Sequence, residues 1–212
     1  SNVDTSTPGN YTVTYTASDA SGNEATKNLT VIVEPDYQDE IVLFSNGSLA
    51  EGWRQNGYDV DLSYGDCPGN TCPNLDYGIE NDPIKGRDVM YIDHGVDNAA
   101  QAGFFMQTEL NADPIDLRGA EVNGILTFEV WSDSSDGVDL NVAVDCPAYP
   151  NAGNPVLLEG VGAEEWQEIS IPASSLFNQA CALRSDEIGT VPMFLSRWMS
   201  PKIRIDNVVW KC

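Results

Sequence analysis

The chain has 212 residues, with 33 acidic and 10 basic side chains, a formal net charge of −23 and a hydrophobic share of 42%. This hydrophobic share is typical of folded globular proteins, and the length is enough for one β-sandwich with a short additional segment. A surface this acidic repels phosphate backbones and anionic lipid headgroups, which excludes nucleic acids and membranes as expected partners, and no apolar run of about 18 residues could span a bilayer.

Two strands joined by a turn are predicted within residues 1–34. Apolar and polar residues alternate from Tyr11 to Tyr15 and again from Leu29 to Val33, on either side of the turn sequence SDASGNEA. A lone hairpin is marginally stable in water. We therefore expect this segment to be the end of a sandwich, and the chain to be an excised fragment of a longer protein.

The same residues carry the motif G-x-Y-x-V-x-Y-x-A-x-D-x-S-G-N, from Gly9 to Asn23. On this motif, residues 1–34 resemble the C-terminal half of the bacterial immunoglobulin-like repeat that occurs in tandem on secreted enzymes. The resemblance implies a spacer without chemistry of its own. Residues 35–38 are predicted to be a linker because Pro35 ends the strand ladder, and the main domain is predicted at 39–212.

From residue 39 onward, short segments with strand patterning are separated by polar turns, and helical periodicity is weak. The segment ASSLFNQA is predicted to form one short helical turn capped by Ser174 or Ser175. About nine strands with long polar loops predict an all-β fold, a two-sheet jelly-roll β-sandwich preceded by the partial immunoglobulin-like hairpin. The strands are predicted at 41–45, 89–93, 102–108, 124–132, 138–145, 156–159, 166–171, 191–195 and 202–210.

The five cysteines indicate an oxidising compartment. Cys67 and Cys72 flank a Pro-Gly turn in CPGNTC, a loop that can bring two Cβ atoms within disulfide range, whereas a metal cluster would need a second such pair. Cys146 and Cys181 could form a second bridge, which would leave Cys212 over, and the sequence leaves the connectivity open. We expect a secreted, extracellular protein.

No catalytic signature is present. The sequence has no G-x-S-x-G, no HExxH and no glycine-rich phosphate loop, and His94 is its only histidine, which nearly excludes a Ser-His-Asp triad or a multi-histidine metal site. Carboxylates are too numerous for a glycosidase pair to be excluded by counting, so a hydrolase remains a third hypothesis. The sequence predicts a non-catalytic domain.

An ordered set of short motifs runs through the main domain: IVLF, Gly52-Trp53, CPGNTCPN, GFFMQT, PIDL, LTFEV, LNVAVDCP, EEWQEISIP and PKIRIDNVVW. In this order they resemble the galactose-binding-like C-terminal domain of marine exo-1,3/1,4-β-glucanases. The resemblance implies a jelly roll that binds glycans or packs on a covalently attached catalytic domain, often with a structural calcium ion. One departure is that the family often closes a second small cysteine loop after the strand holding Cys146, where residues 148–150 offer no partner and Cys181 could replace it.

Aromatic rings that could stack on a sugar are the main candidates for a binding site. Trp198 lies in SRWMSP beside Arg197 and is the best single candidate. Trp53 and Tyr58 each follow a glycine in a polar stretch and could also stack on sugar, although Trp53 is equally plausible as a lid on the sandwich edge. Two further tryptophans are predicted to lie in the core, Trp166 and Trp210.

Trp131 ends an alternating strand whose apolar residues face the other way, so its ring is predicted to point outward. Such a ring is either a binding platform or a contact with a neighbouring domain. On the same outer face, the next strand is predicted to offer Asp139, Asn141 or Asp145 for hydrogen bonds to sugar hydroxyls.

The resemblance also implies a calcium site that joins Asp206, in the terminal strand, to a residue of the first strand, Glu40 or a neighbour. Calcium needs six to eight oxygen ligands. The alternative is a buried aspartate that accepts backbone hydrogen bonds. The stretch DSSDG at 133–137 is predicted to be a solvated turn rather than a second metal loop.

The sequence therefore predicts a monomeric, non-catalytic carbohydrate-binding module of a secreted polysaccharide-degrading enzyme from a marine-type bacterium. Its expected partners are a polysaccharide and the attached catalytic domain. Because the resembled family acts on β-1,3/1,4-glucans, the resemblance implies a β-1,3-glucan of laminarin type as the first ligand and an agarose-like galactan as the second. The charge disfavours polyanionic glycans, so a neutral polymer is expected. The alternative is a structural domain that docks on the neighbouring catalytic domain without binding glycan.

Overall fold

The computed structural model describes residues 3–7, 9–33, 40–59, 66–67, 75–94, 102–108, 117, 119–145, 153–182, 190–196 and 201–211. The chain divides into two compact units, residues 1–37 and residues 38–212, here the N-terminal unit and the main unit. The division falls inside the stretch predicted to be a linker. Within the described residues, no helix is both long and apolar enough to cross a membrane.

The N-terminal unit is one antiparallel hairpin of β1 (Gly9–Ser18) and β2 (Glu24–Val33), paired in continuous register from Gly9↔Val33 to Ser18↔Glu24. The Asp19 carboxylate organises the turn, because it accepts hydrogen bonds from the backbone N–H groups of Ser21 and Asn23 at 2.8 and 2.9 Å. The two predicted strands and their turn are thus confirmed.

The main unit is a sandwich of two antiparallel sheets, which confirms the predicted all-β class. Its strands are β3 (Glu40–Ser45), β4 (Ser48–Leu49), β5 (Trp53–Asp59), β6 (Asp66–Cys67), β7 (Leu75–Asp82), β8 (Arg87–His94), β9 (Ala102–Thr108), β10 (Ile125–Ser132), β11 (Val138–Asp145), β12 (Val156–Val161), β13 (Gln167–Pro172), β14 (Thr190–Ser196) and β15 (Ile203–Lys211). The one-turn helices are α1 (Ala120–Asn123), α2 (Ala173–Leu176) and α3 (Gln179–Ala182).

Strand β15 organises the seven-stranded sheet. It pairs with β10 on one side and with both β3 and β8 on the other; β13 extends the sheet beyond β10, β4 beyond β3, and β7 beyond β8. The six-stranded sheet has the order β12-β11-β14-β9-β5-β6. The consecutive strands β10 and β11 therefore lie in opposite sheets.

Side chains alternate between the sandwich core and the outer faces, as the period of two requires. Leu126, Phe128 and Val130 of β10 are buried in the core, while Glu129 and Trp131 point to the outer face and are partly exposed. Trp210 is fully buried in the core, as predicted.

Several local predictions differ from the structure. Strands β5 and β7 were not predicted, and the segment ASSLFNQA forms two separate turns, α2 and α3, rather than one. The predicted serine cap is wrong because Ser174 and Ser175 lie inside α2, whose N-cap is Pro172 without a side-chain hydrogen bond. The assignment of Trp166 to the core is also wrong, because the residue is partly exposed and its ring lies under the Lys85 ammonium, 4.1 Å from its centroid.

Candidate functional site

The outer face of the seven-stranded sheet carries a network of charged side chains. Its cations come from the β7–β8 hairpin and from the segment around the start of β15, and its carboxylates come from β7, β10 and β15. Burial of these groups is tolerated because each charge has an opposite partner. We call the following eight residues the ion network: Lys85, Arg87, Lys202, Arg204, Glu80, Asp82, Glu129 and Asp206.

Asp206 is the centre of one half of the ion network. Its fully buried carboxylate accepts hydrogen bonds at Oδ2 from Lys85 Nζ at 2.8 Å and from Arg87 Nε and Nη2 at 3.0 and 2.5 Å. Its Oδ1 accepts the backbone N–H of Asn207 at 2.9 Å. The Lys85 ammonium also contacts Glu129, which in turn accepts Asn207 Nδ2 at 2.5 Å. Both oxygens of Asp206 are therefore occupied by the protein itself.

A β-bulge produces this arrangement. Between Thr127 and Glu129 of β10 the register gains one extra residue in β15, and Asn207 has φ 48°, in the left-handed region that asparagine tolerates. Because of the bulge, Asp206 and Asn207 both lie on the outer face, instead of alternating between core and surface.

Glu80 is the centre of the other half. It accepts Lys202 Nζ at 2.6 Å and Arg204 Nε at 2.7 Å. Burial of the Glu80 carboxyl raises its pKa, but the hydrogen bonds from the two cations outweigh that effect and hold the pKa below its ordinary value. Arg204 Nη1 also lies 3.2 Å from the buried Asp82 carboxylate.

Three aromatic rings on this face are each covered by a network cation. Arg204 lies 4.5 Å from the centroid of the Trp131 ring, Lys85 covers Trp166, and Lys202 lies 4.6 Å from the Tyr91 ring. The indole N–H of Trp131 has no hydrogen-bond partner in the described part of the chain. Trp131 thus points outward as predicted, but the protein's own guanidinium occupies one face of its ring.

The predicted combination of Trp131 with Asp139 and Asn141 on one outer face is wrong. Trp131 lies in β10 of the seven-stranded sheet, and the other two residues lie in β11 of the six-stranded sheet. The turn between the strands passes from one sheet to the other, through Gly137 with φ 71°. The two groups face away from each other on opposite sides of the sandwich.

The outer face of the six-stranded sheet carries mostly uncharged side chains, in contrast to the ion network of the other sheet. Its strands place uncharged side chains in two rows, Tyr58↔Gly103↔Leu195↔Asn141 and Asn56↔Phe105↔Met193↔Ala143, followed by the pair Arg54↔Gln107. Asn56 and Phe105 are only 5% exposed and Leu195 8%, yet Phe105 and Leu195 do not belong to the core cluster. Around these buried residues, the bordering side chains are partly exposed. We call the outward positions of these three rows the recess, a name that denotes these residues and implies no cavity.

Two buried polar atoms in the recess are unpaired within the described residues. They are the amide oxygen Oδ1 of Asn56, an acceptor, and the guanidinium Nε–H of Arg54, a donor. Both side chains belong to the outer face of β5, two positions apart, and Arg54 is oriented by the hydrogen bond from its Nη2 to Gln107 at 3.1 Å. An unpaired buried polar group of this kind costs about 1–3 kcal/mol.

The other residues predicted to bind sugar lie at different places in the structure. Tyr58 and Asn141 lie at the border of the recess, and Asp139 is exposed with its Oδ1 accepting the backbone N–H of Gly160 at 3.2 Å. Trp53 points inward and packs against the core, which agrees with the alternative of a lid on the sandwich edge. Trp198 and Arg197 lie outside the described residues.

The contribution of Asn56 and Arg54 was missed by sequence reasoning, because β5 lacks apolar alternation and was not predicted to be a strand. The available signal was the sequence WRQNGYD, in which Arg54, Asn56 and Tyr58 are two residues apart. In a strand this spacing places them on one face.

The disulfide predictions stay predictions. Cys181 is fully buried and disulfide-bonded. Cys72, Cys146 and Cys212 lie outside the described residues, as does the side chain of Cys67.

The residues predicted for calcium do not fit that ion. Glu40 pairs with Lys211 at the far end of β15, five positions from Asp206, or roughly 16 Å along the strand. Asp206 is bound by two cations of the protein, whose charge opposes a third. Among the described residues, no group of three or more histidine, cysteine or carboxylate side chains could hold a metal ion.

A cleft of about 340 Å³ lies on the outer face of the seven-stranded sheet, beside the ion network. Its floor includes Val42, Thr127 and Val209, and Glu40 and Glu168 line it. The cleft has no aromatic ring other than Phe128, which belongs to the core, among its described lining residues. It therefore lacks the platform that sugar binding requires.

Residues 1–33 match the family model described as bacterial surface protein, Ig-like domain. No curated protein sequence matches the chain. The chain is similar in structure to the exo-1,3/1,4-β-glucanase of a Pseudoalteromonas species, with a TM-score of 0.56 and 18% identity over 90% of this chain and 23% of that one. The chain thus spans about a quarter of the length of that enzyme.

It is also similar to that enzyme's extra C-terminal domain, with a TM-score of 0.55 and 17% identity over 80% of this chain and 91% of that one. A third similar structure is the family 30 carbohydrate-binding module of a cellulosomal cellulase from Clostridium thermocellum, with a TM-score of 0.51 and 12% identity over 81% and 96% of the two chains. At these identities the similarity is one of fold. The main unit of this chain therefore has the jelly-roll β-sandwich fold of these structures, and residues 1–33 match the model of a bacterial Ig-like domain.

Proposed function

We propose that the chain is a non-catalytic carbohydrate-binding module of a secreted polysaccharide-degrading enzyme, and that it binds glycan in the recess. The proposal is supported by the fold, which the main unit shares with carbohydrate-binding modules, and by the unpaired polar atoms of β5.

The observation that carries the proposal is the pair formed by Asn56 Oδ1 and Arg54 Nε. One atom needs a hydrogen-bond donor and the other needs an acceptor. A sugar hydroxyl group both donates and accepts, so hydroxyls of one glycan would satisfy both atoms once binding displaces the groups that cover them, since both atoms are buried in the unliganded chain. The free energy that these groups cost the unliganded protein is then recovered on binding.

Stacking supplies the second part of the proposed mechanism. Tyr58 borders the recess across from Gly103, where a Cβ atom would lie 2.0 Å from the carbonyl oxygen of Phe194. Position 103 therefore admits no side chain, so Tyr58 and Leu195 are separated in this row by backbone alone. We further propose that Trp198 and Arg197, which follow the last residue of β14 in the sequence, complete the platform.

The ligand we propose is a neutral β-1,3-glucan of laminarin type, with an agarose-like galactan as the second choice. The net charge of −23 opposes binding of a polyanion, and Arg54 is the one cation among the described residues of the recess. Binding would raise the local concentration of an attached enzyme at its substrate. We expect an affinity on the order of micromolar to millimolar, because each stacking contact adds only about 1 kcal/mol.

Affinity electrophoresis in gels containing laminarin, agarose or a sulfated polysaccharide tests the proposal. We expect laminarin to retard the full chain. Asn56→Ala should weaken the affinity for laminarin roughly tenfold, because the loss of one hydrogen bond costs about 1.4 kcal/mol of binding free energy. The melting temperature of Asn56→Ala should stay the same or rise, because the substitution removes an unpaired buried group.

Asn81→Ala is the matched control, since Asn81 is an exposed strand residue of the other sheet. It should leave retardation unchanged. Retardation that survives Asn56→Ala undiminished would remove the recess from the proposal. Failure of every neutral polysaccharide to retard the wild-type chain would contradict carbohydrate binding itself.

A second candidate function is docking on a neighbouring catalytic domain without binding glycan. The observation that favours it is the cleft of the seven-stranded sheet, where Val42 is 41% exposed on the floor and Ile125 is 38% exposed on the same face. Absence of retardation on all polysaccharides would favour this role.

A further inference from the structure

The turn between β7 and β8 places a lysine where the buried carboxylates of the seven-stranded sheet need positive charge. We propose that the Lys85 ammonium, together with Arg87, is a tethered substitute for a divalent cation at Asp206 and Glu129. The buried carboxylate of Asp206 and its neighbour Glu129 then need no calcium. The same contact holds the tip of the β7–β8 hairpin against the sheet.

The contacts of Asp206 show why a cation is required there. Its side chain is fully buried, and an uncompensated buried carboxylate is strongly destabilising. Three N–H groups of Lys85 and Arg87 reach its Oδ2 within 3.0 Å, and Lys85 also contacts Glu129. Two carboxylates thus meet two cations, and their formal charges cancel.

The same contacts leave no place for calcium. A calcium ion takes six to eight oxygen ligands at about 2.3–2.6 Å. At Asp206 Oδ2, that space holds an ammonium at 2.8 Å and a guanidinium nitrogen at 2.5 Å. The remaining oxygen of Asp206 accepts a backbone hydrogen bond, which is a contact that a metal would have to displace.

Contacts other than those with Asp206 and Glu129 also hold Lys85 in position. Its backbone N–H donates to Asp82 Oδ1 at 2.6 Å, and Gly86 completes the turn with φ 66°. The ammonium lies over the Trp166 ring, and the side chain is 13% exposed. Because turn and ring fix its position, little conformational entropy remains to be lost when it binds Asp206 and Glu129.

Thermal unfolding of the full chain tests this proposal and does not depend on sugar binding. We expect the wild-type melting temperature to be the same in EDTA and in excess calcium chloride. Lys85→Ala should lower it by roughly 4–8 °C, as expected for loss of one partner in a buried network that keeps Arg87. Calcium should then raise the melting temperature of Lys85→Ala but not that of the wild type, because two carboxylates remain with one guanidinium.

Lys211→Ala is the matched control. It removes an exposed lysine of the same face, at the end of β15, that belongs to no ion pair of the ion network. Its melting temperature should not respond to calcium. A wild-type chain that loses stability in EDTA and regains it in calcium would overturn the proposal, as would a Lys85→Ala variant as stable as the wild type. If Lys85→Ala does not fold, the proposal is still tested by comparing the wild-type melting temperature in EDTA with that in calcium chloride.

Discussion

At the scale of single residues, the two outer faces of the sandwich differ in how their charged and polar groups are paired. On the seven-stranded sheet, Asp206 and Glu80 each bind two cations of the same chain. In the recess, by contrast, Asn56 Oδ1 and Arg54 Nε are left without partners among the described residues. The charged groups of the first face therefore satisfy one another, whereas the second face keeps two buried polar atoms unpaired, and the proposed glycan binding depends on these two atoms.

Glu80 gives a prediction for acid stability. Its folded-state pKa lies below the ordinary value of 4.5, so the stability it contributes is present above pH 4.5 and is lost as the pH falls through the lowered folded-state pKa. Glu80→Gln should lower the free energy of unfolding at neutral pH by about 1 kcal/mol or less, since the group is partly exposed. Below pH 4.5, stability should fall less steeply with pH in this variant than in the wild type.

Urea unfolding at a series of pH values measures both effects. Glu159→Gln, at an exposed position of β12, is the control and should keep the wild-type slope. Equal slopes for Glu80→Gln and the wild type would show that the pairing with Lys202 and Arg204 does not persist in solution.

At the scale of elements, the bulge in β15 determines which residues reach the outer face. Asn207→Gly keeps the left-handed backbone at φ 48° and loses only the hydrogen bond to Glu129, for a cost of about 1 kcal/mol. Asn207→Val should cost about 1–3 kcal/mol more, because a β-branched residue is strained at positive φ. Urea unfolding midpoints of the two variants test this difference.

Asn81→Val is the control for the bulge, since it makes the same change at a regular, exposed strand position of β7. There valine is a favourable strand residue and the loss should be small. If Asn207→Val is no less stable than Asn207→Gly, the bulge does not impose the backbone conformation described here.

The elements also show what sequence patterning can and cannot predict. Strands such as β10 and β11 were found because their apolar core residues recur at every second position, whereas β5 was missed because its inward residues include Gln55 and Gly57. The assignment of β10 and β11 to opposite sheets was beyond local patterning, because alternation identifies a face but not the sheet to which the strand belongs. The candidate site was predicted in part, through Tyr58 and Asn141, and its centre at Asn56 depends on the pairing of β5 with β9.

At the scale of the whole molecule, the charge is the dominant feature. The four cations and four carboxylates of the ion network cancel, so the net charge of −23 belongs to the rest of the chain. The sequence predicted the sandwich class correctly because many strands without helical periodicity leave few other architectures. It could not predict the charge distribution, because ion pairs join residues as distant in sequence as Lys85 and Asp206.

Added salt should therefore stabilise the protein. Raising the ionic strength from about 0.01 M to 0.15 M shortens the Debye length from about 30 to about 8 Å, which screens repulsion among surface carboxylates more than it weakens the buried ion network. We expect the melting temperature at neutral pH to rise with sodium chloride. Near the isoelectric point of about 4.1 the effect should vanish, and a fall at neutral pH would mean that exposed ion pairs dominate.

The position of β15 has a consequence for how the protein is made. Among the described strands this one comes last in the sequence, yet β10, β3 and β8 all pair with it. The larger sheet therefore cannot form completely until residue 211 has left the ribosome. In every shorter nascent chain, β3, β8 and β10 lack their β15 partner and have unpaired edges. We expect interrupted translation products to be degraded by proteases instead of accumulating half-folded.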